Sequence, residues 1–238
     1  MKILLADFHR FSGKRNQIHE RLPRLATMFC EMGHEVTAVF ADEKKGGEPA
    51  FAWPEEAKIY NMYYVPGEIV VRPSVLLKAL KVCIKPISKA AAREQEFRMV
   101  KAAKASLLRI LRDETPDIVI SFNELTSRIL LVGIDVDIPV MTWLSADPDA
   151  LFDKAPYYER HDIEKSACIG TDTIEQSEKA AGYLKSEKFS VLPDPTAENA
   201  REKWDEILDE VTESYRLMLE KRGPKPPETP FSFFRNNW

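Results

Sequence analysis

The sequence predicts an α/β fold: a single Rossmann-like, doubly wound parallel sheet with a C-terminal helix packed back on it. Three observations predict it. Met1–Ala6 is a nearly continuous apolar run without solvent-facing alternation, as suits a parallel strand covered on both faces. Runs of this kind recur along the chain and alternate with segments whose apolar residues fall at helical spacing, the pattern of repeated β–α units. The last helical segment, Glu198–Arg222, is long and amphipathic, and its apolar side needs a core partner.

The first strand ends at Asp7, and a loop around Ser12-Gly13-Lys14-Arg15 follows. Asn16–Met32 then places Ile18, Leu22, Leu25, Ala26 and Phe29 at helical spacing, with Gly33 in the C-cap position. Pro23 marks either the first turn of this helix or a kink. His34–Phe40 is a second β-rich run, so the opening forty residues form a βαβ unit with an expected right-handed crossover. Between Asp42 and Pro66 an irregular connection carries strand-like pieces at Lys58–Tyr60 and Met62–Val65.

Val71–Arg112 has a helical, cationic pattern interrupted at Pro86. Between residues 71 and 104 nine basic residues face only Glu94 and Glu96, a local charge of +7. Such a segment reads either as a solvated helix face or as a peripheral contact with anionic lipid. Ile118–Phe122 is the next buried strand, Leu125–Val132 a short helix, and Ile138–Trp143 another strand. Ser166–Gly170 follows as a strand, with Thr171 a candidate N-cap for a helix over Ile174–Leu184. Lys188–Leu192 is the last strand, running into Pro193-Asp194-Pro195-Thr196.

At 238 residues the chain suits one α/β domain plus an appendage. The expected division is 1–196 as the sheet domain, 197–222 as the returning helix, and 223–238 as a Pro/aromatic tail. That tail reads as disordered, or as an aromatic cluster awaiting a partner. The net charge of −4 gives no overall attraction to nucleic acid, so no nucleic-acid partner is expected. Cys30, Cys83 and Cys168 lack disulfide or zinc spacing, and no membrane-spanning run or leader pattern is seen. A cytoplasmic protein is expected, with membrane association through 71–104 as an addition.

Ligands in open α/β sheets bind outside the carboxyl ends of the strands. Three loops therefore hold the candidate site: Asp7–Arg15, Asn123-Glu124 and Ser145–Asp149. In the first, Gly13 would let backbone approach a ligand, and Arg15 suits a phosphate or carboxylate. One glycine is not a dinucleotide fingerprint, and the four histidines have no metal-ligand spacing, so neither cofactor nor metal is expected. No GxSxG, P-loop or HExxH motif is present.

Four segments, in order, resemble family 4 glycosyltransferases. They are Lys2-Ile3-Leu4-Leu5 with Leu22, Leu25 and Met32–Thr37; Pro116–Ser121; the strand, helix and strand from Ser166 to Leu192; and Asn199-Ala200-Arg201 followed by Trp204 and Tyr215. The resemblance implies a GT-B fold, of which this chain has the N-terminal acceptor domain and the terminal cross-over helix. The nucleotide-binding domain, with its donor-binding glutamates, would belong between Pro195 and Glu198 and is absent there. The family's histidine after the strand Pro139–Leu144 is also replaced, by Ser145 or a neighbour.

The resemblance implies a sugar or lipid-linked acceptor bound by Asp7, His9, Gly13, Arg15, Asn123, Glu124, Ser145 and Asp147, in glycan or polysaccharide biosynthesis. It implies inactivity without a separate donor-binding chain. The competing reading is a non-catalytic interaction or regulatory protein on the same fold.

Overall fold

The computed structural model describes residues 1–7, 18–40, 52–61, 107–134, 137–144, 146–153, 155, 157–186 and 188–222. Seven strands are formed: β1 (Lys2–Asp7), β2 (Glu35–Phe40), β3 (Lys58–Asn61), β4 (Ile118–Ser121), β5 (Val140–Trp143), β6 (Cys168–Thr171) and β7 (Phe189–Val191). They make one sheet in the order β3-β2-β1-β4-β5-β6-β7, and every neighbouring pair is parallel. The chain builds outward from β1 to β3, then returns to the other side of β1 with β4. That reversal is the topological switch point of a doubly wound sheet.

The described helices are α1 (Ile18–Glu31), α2 (107–114), α3 (Glu124–Arg128), α4 (Pro148–Phe152), α5 (Tyr157–Ile163), α6 (Ile174–Tyr183) and α7 (Ala200–Arg222). A wider π-type turn, Ile129–Ile134, continues α3. Successive side chains of a strand point to opposite faces. Ile3 and Leu5 accordingly pack with Leu22, Leu25 and Phe29 of α1 and Trp204 of α7, whereas Leu4 and Ala6 pack with Leu107, Ile110 and Leu111 of α2. Both faces are covered, which is why β1 and β4 tolerate no polar alternation.

Helix α1 ends as the sequence predicts, with Gly33 at φ +85, where a side chain would be strained. Pro23 lies inside α1 rather than at its start, and its ring is buried. Helix α7 lies on the α1 face of the sheet. Ala200, Trp204, Leu208 and Val211 are buried at steps of four and three, and the partly buried Tyr215 extends the seam. Trp204 is fully buried, meets Phe29 edge-on at 5.4 Å, lies 5.9 Å from Trp143, and donates its indole N–H to the Pro193 carbonyl at 3.1 Å. An aromatic side chain this large, with its polar atom satisfied, fixes the helix on the layer.

Two expectations are corrected. Thr171 does not cap α6: it closes β6, paired with Val191, and its hydroxyl donates to the Thr173 carbonyl. Thr173 is the cap, its hydroxyl oxygen accepting from Gln176 N–H at 3.2 Å. The segment after β5 is also more ordered than a plain loop. Asp147 accepts from Asp149 N–H at 3.0 Å and starts α4, with Pro148 at the first helical position, where its missing N–H costs nothing.

Several expectations lie outside the described residues: the strand-like Met62–Val65, the cationic 71–104 with its membrane contact, and the tail 223–238. Among the described residues, no helix is long and apolar enough to cross a membrane.

Candidate functional site

The carboxyl ends of β1 and β4 meet at the switch point. Ala6 and Ser121 are register partners, and Phe122 N–H donates to the Ala6 carbonyl at 3.0 Å, carrying the ladder one residue further. That register sets Asp7 beside Asn123. The Asn123 side-chain amide donates to Asp7 Oδ1 at 2.6 Å, while its carbonyl oxygen accepts from Thr126 N–H at 2.8 Å and caps α3. Both residues are buried, at 1% and 5% exposure. A carboxylate taken out of water is costly unless hydrogen-bonded, so Asn123 stabilises Asp7 as it starts the helix.

Hydroxyl groups support Asn123 from below. Ser121 Oγ donates to the main-chain carbonyl of Asn123 at 2.9 Å, and Ser127 Oγ lies 2.8 Å from Ser121 Oγ. Thr142 Oγ1 donates to Ser127 Oγ at 2.7 Å and lies 2.6 Å from Ser166 Oγ. All four hydroxyl side chains are buried. A buried network whose members satisfy one another holds one geometry, because any other leaves a polar group unpaired.

Further along the same edge, Asp172 follows β6. Its Oδ1 accepts from Arg21 Nη1 at 2.6 Å and from the Trp143 indole N–H at 2.9 Å. The Arg21 guanidinium also lies over the Trp143 ring, 5.3 Å from its centroid. Asp147 faces outward to Lys179, 3.2 Å away, and this contact together with the Asp149 N–H holds its carboxyl below the usual range. Lys179 also reaches Glu175 at 3.3 Å.

Of the residues expected at the site, Asp7 and Asn123 are brought into direct contact, and Glu124 follows them as the first residue of α3. Asp147 is at the same edge, with its carboxylate engaged as a helix cap and an ion pair. His9, Gly13, Arg15 and Ser145 lie outside the described residues. Arg21, Trp143 and Asp172 were not expected. The signal for Asp172 was available, because it is a polar residue directly after an apolar strand, as Asp7 is. Arg21 gave none, since its partner is 151 positions away.

Two further groups of the described residues, the cysteines, are placed away from reactive chemistry. Burial pushes the thiols of Cys30 and Cys168 up, away from nucleophilic thiolates. Among the described residues no cluster of three or more His, Cys, Asp or Glu is placed to hold a metal. A cavity of about 190 Å³ lies at the opposite edge, at the amino ends of β1 and β2, between Lys2, His34, Glu56 and Glu114.

No protein-family model matches the sequence, and no curated protein does. The structure does have relatives. A sucrose-phosphate synthase chain from Thermosynechococcus elongatus, designated 27_220_406_426, matches with a TM-score of 0.50 at 12% identity, over 92% of this chain and 99% of that one. Sucrose-phosphate synthase of the same organism without that designation gives 0.52 at 10%, over 81% of this chain and 48% of its own length. The lipopolysaccharide outer core galactosyltransferase WaaB gives 0.50 at 12%, over 81% and 45%. Arabidopsis thaliana UGT89C1, in complex with UDP, gives 0.51 at 13%, over 83% and 50%. At these identities the likeness is one of fold: the chain has a Rossmann-like, GT-B-like fold. It spans about half the length of the last three.

Proposed function

We propose that this chain is the acceptor-side lobe of a glycosyltransferase resembling family 4, without a sugar-nucleotide lobe between Pro195 and Glu198 and with the returning helix retained. The observation that carries this reading is the direct passage from β7 to α7. Strand β7 ends at Val191, α7 begins at Ala200, and Trp204 is already fully buried against the α1 face. No room for a second lobe exists in that connection.

The coverage of the relatives supports the same reading. This chain covers nearly all of the synthase chain designated 27_220_406_426 but about half of the synthase chain without that designation. On this reading a sugar or lipid-linked acceptor binds across Asp7, Asn123 and Glu124, together with the first loop and Ser145. Catalysis in polysaccharide assembly then needs a separate donor-binding chain on the carboxyl-end face.

Calorimetric titration of the full chain tests the proposal. UDP-, GDP- and ADP-sugars should give no binding, whereas a panel of sugars and lipid-linked saccharides should yield a binder that perturbs Asn123. Tight donor binding by the isolated chain overturns it. A non-catalytic interaction protein on the same fold is the second reading, favoured by the engagement of Asp147 and Lys179 with each other rather than with an open site. That reading requires a partner or membrane captured through the basic segment 71–104 or the aromatic tail 223–238, and no saccharide binding at all.

A further inference from the structure

The crevice edge holds one device that neither the packing nor the Asp7–Asn123 pair requires. Arg21 leaves the first turn of α1 and reaches to the end of β6, crossing Trp143 on the way. Trp143 is itself immobilised, stacked on Phe122 at 5.5 Å and packed against Trp204. One carboxylate oxygen, Asp172 Oδ1, receives both the indole N–H and Arg21 Nη1. The guanidinium is thus laid on a rigid aromatic plate and pinned by a single nitrogen.

An arginine fork has five N–H donors, and the Asp172 contact uses Nη1 alone. The side chains of Arg21 and Asp172 remain 30% and 38% exposed. A half-exposed ion pair contributes little to stability, so folding alone is a weak reason to build it. A fork already ordered by stacking, by contrast, loses little further freedom when a planar or tetrahedral oxyanion takes its other donors. Arg24 lies one turn further along α1. Asp194, in the β7–α7 connection, is held below the usual carboxylate range first by the Thr196 hydroxyl and N–H and then by the charges of Arg21 and Arg24. Both arginines therefore act on the carboxyl-end face. Asp172 and Asp194 balance them, so an anion is selected there by geometry rather than by bulk attraction.

We propose that Arg21, stacked on Trp143 and tethered by Asp172, is an anion subsite of the acceptor crevice, and that the acceptor bound there carries a phosphate or carboxylate. The inference rests on the acceptor reading above for the identity of the remainder of the ligand. The subsite itself asks only for an oxyanion.

The test is NMR titration of the full chain with inorganic phosphate, glucose 6-phosphate, glucuronate and glucose, following the Arg21 side-chain signal and the Asp7 and Asn123 amides. The wild type should bind a charged sugar about tenfold or more tightly than glucose, the scale of one charge-assisted hydrogen-bond pair. Glucose 6-phosphate and glucuronate distinguish phosphate from carboxylate. Arg21→Met, which keeps the apolar stem on Trp143, should abolish that preference, bringing the affinity for charged sugars down to about that for glucose. Arg21→Lys should restore part of it, and Asp172→Asn, which frees the guanidinium of its competing carboxylate, should raise phosphate affinity. An unchanged thermal transition controls for folding, and the Arg21→Lys and Asp172→Asn variants carry the test should Arg21→Met fail it. Equal binding of charged and neutral sugars, or a charged-sugar preference that survives Arg21→Met, overturns the subsite while sugar-induced shifts at Asn123 uphold the acceptor reading. Conversely, an Arg21-dependent response to phosphate without any sugar effect at Asn123 upholds the subsite and overturns the acceptor reading.

Discussion

Asn123 donates its side-chain amide to Asp7 across 2.6 Å, joining the ends of β1 and β4 where the strand order reverses. Because the same amide group caps α3 through its carbonyl oxygen, the two ends of Asn123 can be separated by substitution. Asn123→Leu loses both, and should cost about 2–4 kcal/mol from the cap and the hydrogen bond taken from the buried carboxylate. Asn123→Asp keeps a cap but sets a second carboxylate against Asp7. The pair then holds a proton above the usual carboxylate range. The sign follows: a folded-state pKa above the unfolded value gives stability that is present at acid pH and lost as pH rises. Urea denaturation should show Asn123→Asp near wild type at about pH 4 and weaker by roughly 2 kcal/mol at pH 7.5. An equal deficit at both pH values would show that Asp7 and Asn123 do not interact as described.

Trp204 anchors α7, so its truncation should be felt by the whole layer. Trp204→Ala removes a fully buried indole between Phe29 and Trp143 and should cost about 3–5 kcal/mol. Trp204→Phe retains the ring contact and loses the hydrogen bond to Pro193, for about 1 kcal/mol. Leu217→Ala, on the exposed part of the same helix, should stay within about 0.5 kcal/mol of wild type. Chemical denaturation orders the three variants. A small effect of Trp204→Ala would mean that α7 is not held on the sheet.

Much of this was legible from local pattern. Met1–Ala6 and Ile118–Phe122 read as buried strands because both of their faces are covered, which leaves a continuous apolar run rather than an alternation. Helix α7 was legible because Trp204, Leu208, Val211 and Tyr215 sum a weak signal over about three turns. The short helices α4 and α5 have five and seven residues, too few for a period to emerge, and Asp147-Pro148 reads as a turn until its capping bond is seen. In Thr171-Asp172-Thr173 the cap was assigned to the wrong threonine, because pairing with β7, a tertiary event, decides where β6 stops. The site was half legible. Asp7 and Asn123 were each expected at a strand end, and only the order β1-β4 makes them neighbours. The Arg21–Asp172 contact joins residues 151 positions apart, beyond any local rule.

The opposite edge of the sheet offers a pH test independent of the crevice. Tyr60 donates its hydroxyl to Glu114, which also accepts from Lys58 at 2.6 Å. The Glu114 contact, with burial, raises the Tyr60 pKa from the usual 10 to about 12. Burial pushes Glu114 upward, but the Lys58 and Tyr60 hydrogen bonds outweigh it and leave the carboxyl lowered. For a depressed carboxyl the stabilisation is present above its unfolded pKa and is lost as pH falls through the folded value. Glu114→Gln should therefore be less stable than wild type at pH 7, with the gap closing toward pH 3. Alkaline difference absorbance should also show the Tyr60 signal moving from about 12 toward 10 in that variant. A gap independent of pH would remove the ion pair from the account.

Leu192, just past the end of β7, packs into the space that a side chain on Gly170 would fill. A Cβ built on Gly170 would stand 2.1 Å from Leu192 Cδ1 and 2.7 Å from its Cγ, with Leu192 itself buried. Gly170→Ala must displace Leu192 from the core, a steric cost of about 1–3 kcal/mol. Leu192→Ala leaves a cavity worth about 2–5 kcal/mol. In the double variant the new methyl enters the space that the leucine vacates, so the two losses should not add. A double-mutant cycle by urea denaturation should return a favourable coupling of about 1 kcal/mol or more, within the range for touching residues. The coupling also bears on the seating of α7, because Leu192 leads directly into Pro193, whose carbonyl receives the Trp204 indole. Simple additivity would place the strain of Gly170→Ala elsewhere and detach the β6–β7 contact from the anchoring of α7.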